Sequence, residues 1–164
     1  MVAHHTRSTA QTATALLRLD NQLCFALYST SLTMTKLYKP VLERLGLTYP
    51  QYLVMLVLWE SSPLTVSELG ARLFLDSGTL TPLLKRMEAS GWLLRERDSA
   101  DERRVIVSLS DAGRRLRRQA GEVPREVACA TQCSLDELAD LTRRLQSLRG
   151  TIARQLNPPL DEAA

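Results

Sequence analysis

The chain has 164 residues, 45% of them hydrophobic and 24% charged, with a formal net charge of +3. That composition is ordinary for one globular domain, with or without helical extensions, and long enough to bury a core. No apolar run approaches the ~18 residues of a membrane span and the opening MVAHHTRSTAQTATA lacks the apolar core of a signal peptide, so a cytoplasmic protein with reduced thiols is expected.

Residues 1–15 are rich in Thr, Ala and Ser without periodicity and read as a disordered arm. Asp20 is a candidate N-cap for a first helix, in which Leu23, Leu27, Met34, Val41 and Leu45 recur at helical spacing. Pro40 is expected to kink or split this helix and Gly46 to end it in the left-handed conformation. YPQYLVMLVLWES, with Pro50 in its first turn, is hydrophobic nearly all round and reads as the buried centre of the domain.

SPLTVSELGARLF reads as a short helix opened by Thr65 or Ser67. LDSGTLTPLLKRMEASGW reads as another, with Leu80, Leu83, Leu84 and Met87 as its inward stripe. A cap at Gly78 or Thr79 places Pro82 among the first four residues, whose N–H groups lack helical partners anyway. Gly91 ends the helix. WLLRER and RVIVSLS, joined by the turn DSADER, predict a β-hairpin. Ser110 and Asp111 open a helix that Gly121 and Pro124 interrupt. Ser134 to Glu137 is a capping box. It starts a last helix with Leu135, Leu138, Leu141, Leu145, Leu148 and Ile152 on one side, ending before Asn157.

Charge is unevenly placed. Eight arginines (95, 97, 103, 104, 114, 115, 117 and 118) face five acids between Arg95 and Arg118, with Lys85 and Arg86 just upstream. A local basic patch points to a polyanionic partner. Both histidines, His4 and His5, lie in the polar tail. Cys–His nucleophilic pairs and histidine-containing zinc sites are thereby disfavoured, and neither a metal nor a cofactor is expected.

A helix, a short turn, a second helix and a hairpin with arginines at its tip follow the order of a winged helix-turn-helix. The second helix would show Ser77, Thr79, Thr81, Lys85 and Arg86 outward. Its small residues would enter a major groove and its N-terminus would favour phosphate. The hairpin tip would lay Arg103 or Arg104 along the adjacent minor groove, while Arg95, Arg97 and Arg104 read as phosphate contacts or solvated charges.

LDSGTLTPLLKRME followed by DERRVIVSLSDAG resembles the MarR-type winged-helix regulators, with Asp101-x-Arg103 and Val105, Val107 and Leu109 as the wing motif. The likeness runs from about residue 20 to 155. It implies a homodimer with interlocking N- and C-terminal helices, each recognition helix and wing reading one half of an inverted-repeat operator. The expected fold is mainly α with a small β-hairpin wing. Residues 49–110 form the winged helix-turn-helix, and 16–48 with 111–157 form the helical dimerisation region. The apolar faces of the first and last helices independently call for a partner.

Cys24 lies just inside the first helix. On residues alone, two readings stand: a small buried hydrophobe, or a thiolate favoured by the helix N-terminus. The four tyrosines, Tyr28, Tyr38, Tyr49 and Tyr52, all lie within 28 residues of it, and hydroxyls donating to sulfur would favour its anion. Tyr38 sits about 21 Å further along the same helix at 1.5 Å per residue, so any contact with Cys24 must cross a dimer interface.

These positions resemble the organic hydroperoxide resistance branch of the family. The likeness implies Cys24 as peroxidatic cysteine and Tyr38 and Tyr49 as thiolate donors, with Tyr28 close by. It makes Cys129 the resolving cysteine of the two-cysteine type, which pairs with the peroxidatic cysteine of the other subunit. Cys133 has no assigned role. The expected function is a redox-sensing repressor, not an enzyme, induced by an organic hydroperoxide. A repressor released by a non-covalent aromatic ligand is the alternative. A thiol peroxidase and an architectural DNA-binding protein are weaker rivals.

Overall fold

The computed structural model describes residues 16–156. The arm read at 1–15, with its two histidines, and the stop at Asn157 lie outside them. Two compact units divide the chain, one ending at Ala120 and one beginning at Gly121.

The first unit opens with a 3-10 turn, Leu19–Asn21, that contains Asp20. Helix α1, Leu23–Glu43, therefore starts later than Asp20 could cap it. Extended Gln22 precedes it, with a side-chain amide donating to the Leu16 and Arg18 carbonyls. Pro40 does not split the helix. It falls in the last turn, where it lacks the N–H that would reach the Lys36 carbonyl, and the helix nonetheless continues to Glu43. The closing turn has Gly46 at φ +67°, and the Leu47 N–H reaches back to the Leu42 carbonyl (3.1 Å), the bond that satisfies a helix end.

Helix α2, Tyr49–Glu60, follows Thr48, whose N–H donates to Gln51 Oε1 at 2.8 Å. Its Val54, Met55 and Leu58 are almost fully buried, making it the core helix the sequence predicts. Strand β1, Leu64–Thr65, leads into helix α3, Val66–Leu73. Thr65, not Ser67, caps α3. It accepts the Glu68 N–H (3.2 Å) while Glu68 Oε2 accepts the Thr65 N–H (2.7 Å). Gly70 allows the turn after α3 to close, because a Cβ there would stand 2.7 Å from the Leu75 carbonyl oxygen.

Helix α4, Ser77–Ala89, is capped by Asp76 rather than by Gly78 or Thr79. Pro82 is thus its sixth residue, inside the helix, and the helix continues through it. Leu80, Leu83, Leu84 and Met87 are buried as expected. Gly91, at φ +77°, closes the end, with the Trp92 N–H on the Met87 carbonyl (3.1 Å).

Strands β2, Leu93–Arg97, and β3, Val105–Leu109, form the hairpin, with Leu93 opposite Leu109 and Arg97 opposite Val105. β1 adds to the other side of β3 with Leu64 opposite Val107, giving a three-stranded antiparallel sheet in the order β1-β3-β2. Helix α5, Asp111–Gln119, is capped by Ser110, whose Oγ accepts the Gly113 N–H (3.0 Å).

A second 3-10 turn, Ala120–Glu122, leads to the second unit, whose helices are α6, Val123–Thr131, and α7, Leu135–Leu156. Thus the stretch around Gly121 and Pro124 does break the helix. The capping box before α7 forms, with the Ser134 N–H on Glu137 Oε2 (2.8 Å) and the Glu137 N–H on Ser134 Oγ (3.2 Å). The fold is mostly helical with a small sheet as its wing. Among the described residues no helix is long and apolar enough to cross a membrane.

Candidate functional site

The helix-turn-helix consists of α3 and α4. Asp76 accepts the Thr79 N–H (2.8 Å) and the Thr79 hydroxyl (2.9 Å), and these bonds hold its carboxyl below the usual range. Opposite the buried stripe of α4, Ser77, Thr79, Lys85 and Arg86 are exposed and Thr81 is half-buried. The helix therefore presents short hydroxyls at its start and cations further along.

Two aspartates shape the wing tip. Asp101 Oδ1 accepts both the Arg103 N–H (3.1 Å) and its Nε (3.2 Å). The Arg104 N–H donates to the Asp101 carbonyl (2.8 Å), and Arg104 Nε lies 3.6 Å from Asp98 Oδ2. Asp101 thus fixes the backbone and the root of the guanidinium, while the Arg103 side chain is 92% exposed. Between wing and α4 lies a cleft of ≈ 260 Å³ lined by Ser77, Thr81, Arg95, Arg103 and Arg104 among others.

Arg95 departs from the expectation of a solvated charge or a phosphate contact. Its side chain is only 17% exposed and its Nη1 lies 3.5 Å from Glu88 Oε2 of α4. Its backbone N–H donates to Glu88 Oε1 (3.1 Å), and its Nε is buried without a partner. It ties the wing strand to the recognition helix. Glu88 is the partner that the sequence reading missed. Only the long-range pairing of β2 against α4 brings the two together.

Cys24 is the second residue of α1 and is exposed, as is Tyr28 one turn later. Its place beside the helix N-terminus is closer than an Asp20 cap would give. Tyr38 and Tyr49 stand together, with ring centroids 4.9 Å apart and planes inclined by 52°. Tyr52 joins them, 6.0 Å from Tyr38. Burial raises the pKa of Tyr38, with Tyr49 adding to it, and burial raises Tyr49 likewise. Tyr52 is pushed up to about 12 by burial and by its two neighbours. All three phenols therefore keep their protons and can act as donors.

Because α1 runs unbroken from Leu23 to Glu43, Tyr38 is about 21 Å along the axis from Cys24. Within one chain, then, the tyrosine pair is assembled but its sulfur is not. Tyr52 was the member without an assigned role, and its position one helical turn after Tyr49 was the available signal. A second cavity, ≈ 300 Å³, opens beside Tyr49 and is lined by Lys36, Lys39, Leu47 and Pro50 among others.

In the second unit Cys129 is exposed on α6. Cys133 is half-buried and its thiol lies 3.5 Å from the Thr131 carbonyl oxygen. All three cysteines are free. Among the described residues, no group of three or more His, Cys, Asp or Glu is placed to hold a metal ion.

Residues 36–119 match the family described as the transcriptional regulator SarA/Rot. Over 136 residues the chain is 47% identical to the organic hydroperoxide resistance transcriptional regulator of Bacillus subtilis (strain 168), a match spanning 83% of this chain and 92% of that one. Among solved structures it is similar to reduced AbfR bound to DNA, with a TM-score of 0.72 and 36% identity over 87% of this chain and 98% of that one. It is also similar to disulfide-formed AbfR, with a TM-score of 0.57 and 40% identity over 85% and 98%. AbfR is a protein of Staphylococcus epidermidis.

Proposed function

The chain belongs to the MarR-type winged-helix regulators, in their organic hydroperoxide resistance branch, and from that premise we propose a dimeric repressor that leaves its operator when an organic hydroperoxide oxidises Cys24. It is a DNA-binding transcription regulator rather than an enzyme. The observation that carries the redox reading is the Tyr38–Tyr49 pair, held protonated and out of reach of its own chain's Cys24.

The dimer would be built from 16–48 and 111–157. Leu23 and Leu27 on α1, and Leu141, Leu145 and Ile152 on α7, are large apolar side chains left exposed in the single chain, and covering them favours a second copy. In that dimer Tyr38 and Tyr49 of one subunit donate to the Cys24 sulfur of the other, with Tyr28 beside it, and stabilise the thiolate. The thiolate attacks the peroxide oxygen. The O–O bond breaks, the alkoxide leaves and takes a proton to become the alcohol, and the sulfur becomes sulfenic acid. The thiol of Cys129 of the partner subunit then displaces water to form a disulfide, which needs the two Cα atoms within about 7 Å. Reaching that distance moves helices, and the recognition helices lose register with the operator.

On the DNA side, Ser77, Thr79 and Thr81 approach the major groove at the start of α4, and Lys85 and Arg86 meet phosphates. Arg103, set by Asp101, enters the minor groove, with Arg104 at the backbone. The deciding experiment is operator release. The reduced protein is bound to a duplex that it selects from a random library, then treated with stoichiometric cumene hydroperoxide. Wild type should be released and recover with a thiol reductant, and Cys24→Ser should stay bound. The cavity beside Tyr49 favours one second reading, a repressor released by a non-covalent aromatic ligand, and release that ignores Cys24→Ser would select it.

A further inference from the structure

Helix α2 carries a row of aromatic rings that ends at the base of the wing. Tyr52 lies 6.0 Å from Tyr38 of α1 at one end. Two helical turns further along the same face, Trp59 meets Tyr52 edge-on, with centroids 6.3 Å apart and planes at 69°. The buried Trp59 indole Nε1–H then donates to the Gly113 carbonyl at 2.9 Å, across 54 residues of chain.

Gly113 is where the DNA-reading elements converge. A Cβ on it would stand 2.1 Å from the Trp92 carbonyl oxygen, so backbone rests on backbone there. Trp92 links the end of α4, through its N–H on Met87, to the end of β3, through the Ser110 N–H on its own carbonyl (3.2 Å). Ser110 in turn caps α5 at Gly113 and donates its hydroxyl to the Gly91 carbonyl. One junction thus holds the recognition helix, the wing and α5, and Trp59 is the side chain of α2 hydrogen-bonded to it. Such a polar contact in a packed interior has few alternative geometries.

We propose that Trp59 couples the tyrosine cluster to the DNA-reading elements: it ties the cluster of α2 to the base of the wing, so that a displacement at Tyr38 and Tyr49 is passed to α4 and the wing through its hydrogen bond to Gly113. This rests on the redox reading above and names the element that carries its signal. Trp59 touches neither Cys24 nor DNA in this scheme. Its role is the coupling between the two sites, which is the quantity to measure.

The test uses Trp59→Phe in the full-length protein, a change that keeps a ring and removes the donor. The Gly113 carbonyl sits in the first turn of α5 and keeps its helical bond, so the variant has little reason to unfold. Operator affinity is measured for reduced and for cumene hydroperoxide-treated protein. The expected result is near wild-type binding when reduced and a reduced-to-oxidised affinity ratio lowered by about tenfold or more, within the usual range of allosteric coupling. A variant released as fully as wild type overturns the role of Trp59 and leaves the redox reading standing. Wild type that is not released at all overturns both. If Trp59→Phe does not fold, Trp92→Phe leaves Trp59 as the sole tryptophan. Its emission should then change on oxidation and not in the Cys24→Ser background. Unchanged emission in a protein that still releases DNA overturns the proposal.

Discussion

Tyr38 and Tyr49 pack ring to ring at 4.9 Å from two different helices, and the helix that carries Tyr38 keeps it far from the Cys24 of its own chain. In the proposed dimer, where the sulfur would come from the other subunit, thiol reactivity would be a property of the dimer. Replacing Tyr38 or Tyr49 by Phe should slow Cys24 oxidation at neutral pH by about tenfold, since a hydrogen bond to a charged group is worth roughly 1.5–3 kcal/mol. The rate of sulfenic acid formation, followed by mass spectrometry, checks this. A rate equal to wild type would remove both residues from the site.

Tyr52 gives a prediction in pH. Its pKa rises from 10.0 to about 12 on folding, so above pH 10 the unfolded chain loses a proton that the folded chain keeps. The contribution of Tyr52 to stability should therefore be constant below pH 10 and fall as pH climbs through the 10–12 window. Urea unfolding across that window should show a shallower decline for Tyr52→Phe than for wild type, because the variant has no proton to lose.

The wing offers a contrast between two neighbours. Arg103→Ala should cost roughly 1–3 kcal/mol of operator binding and flatten the salt dependence. Asp101→Asn leaves Arg103 in place but weakens the carboxylate that holds its N–H and Nε. It should lower affinity less than Arg103→Ala does. Titrations at two salt concentrations separate the variants, and an Asp101→Asn effect as large as that of Arg103→Ala would mean that Asp101 meets DNA itself.

Leu141 and Leu145, exposed on α7, test the assembly. Glutamate at both positions would bury charge in the proposed interface. Sedimentation should show a monomer with unchanged helical content and weakened operator binding. A variant that remains dimeric would move the interface off this face.

Local chemistry was the part of this fold most legible in the sequence. Thr65 with Glu68 and Ser134 with Glu137 are capping pairs whose partners lie three residues apart, and the two glycines that close α1 and α4 sit where chain reversal needs positive φ. Misreadings came where neighbours compete for one role. Asp76 caps α4 ahead of Gly78 and Thr79 because Gly78 has no side chain in the way of its carboxylate, where a Cβ would stand 3.0 Å from Oδ1. Asp20 loses the start of α1 because the chain first makes a 3-10 turn. Long-range features were silent. Strand β1 is two residues that exist by pairing with β3. Arg95 looks like any exposed arginine until β2 lays it against Glu88. At the candidate site the residue types and the Tyr38 distance argument could be read in advance. The Trp59 hydrogen bond to Gly113 could not, since it depends on how α2 packs against the start of α5.

The most direct test of the redox account is a non-reducing gel with intact mass, run on reduced protein treated with stoichiometric cumene hydroperoxide beside Cys24→Ser and Cys129→Ser. The account predicts a crosslinked dimer in wild type that a thiol reductant dissolves and that neither variant forms. A wild-type protein that runs as a single chain with unchanged mass would contradict it and make Cys24 a bystander.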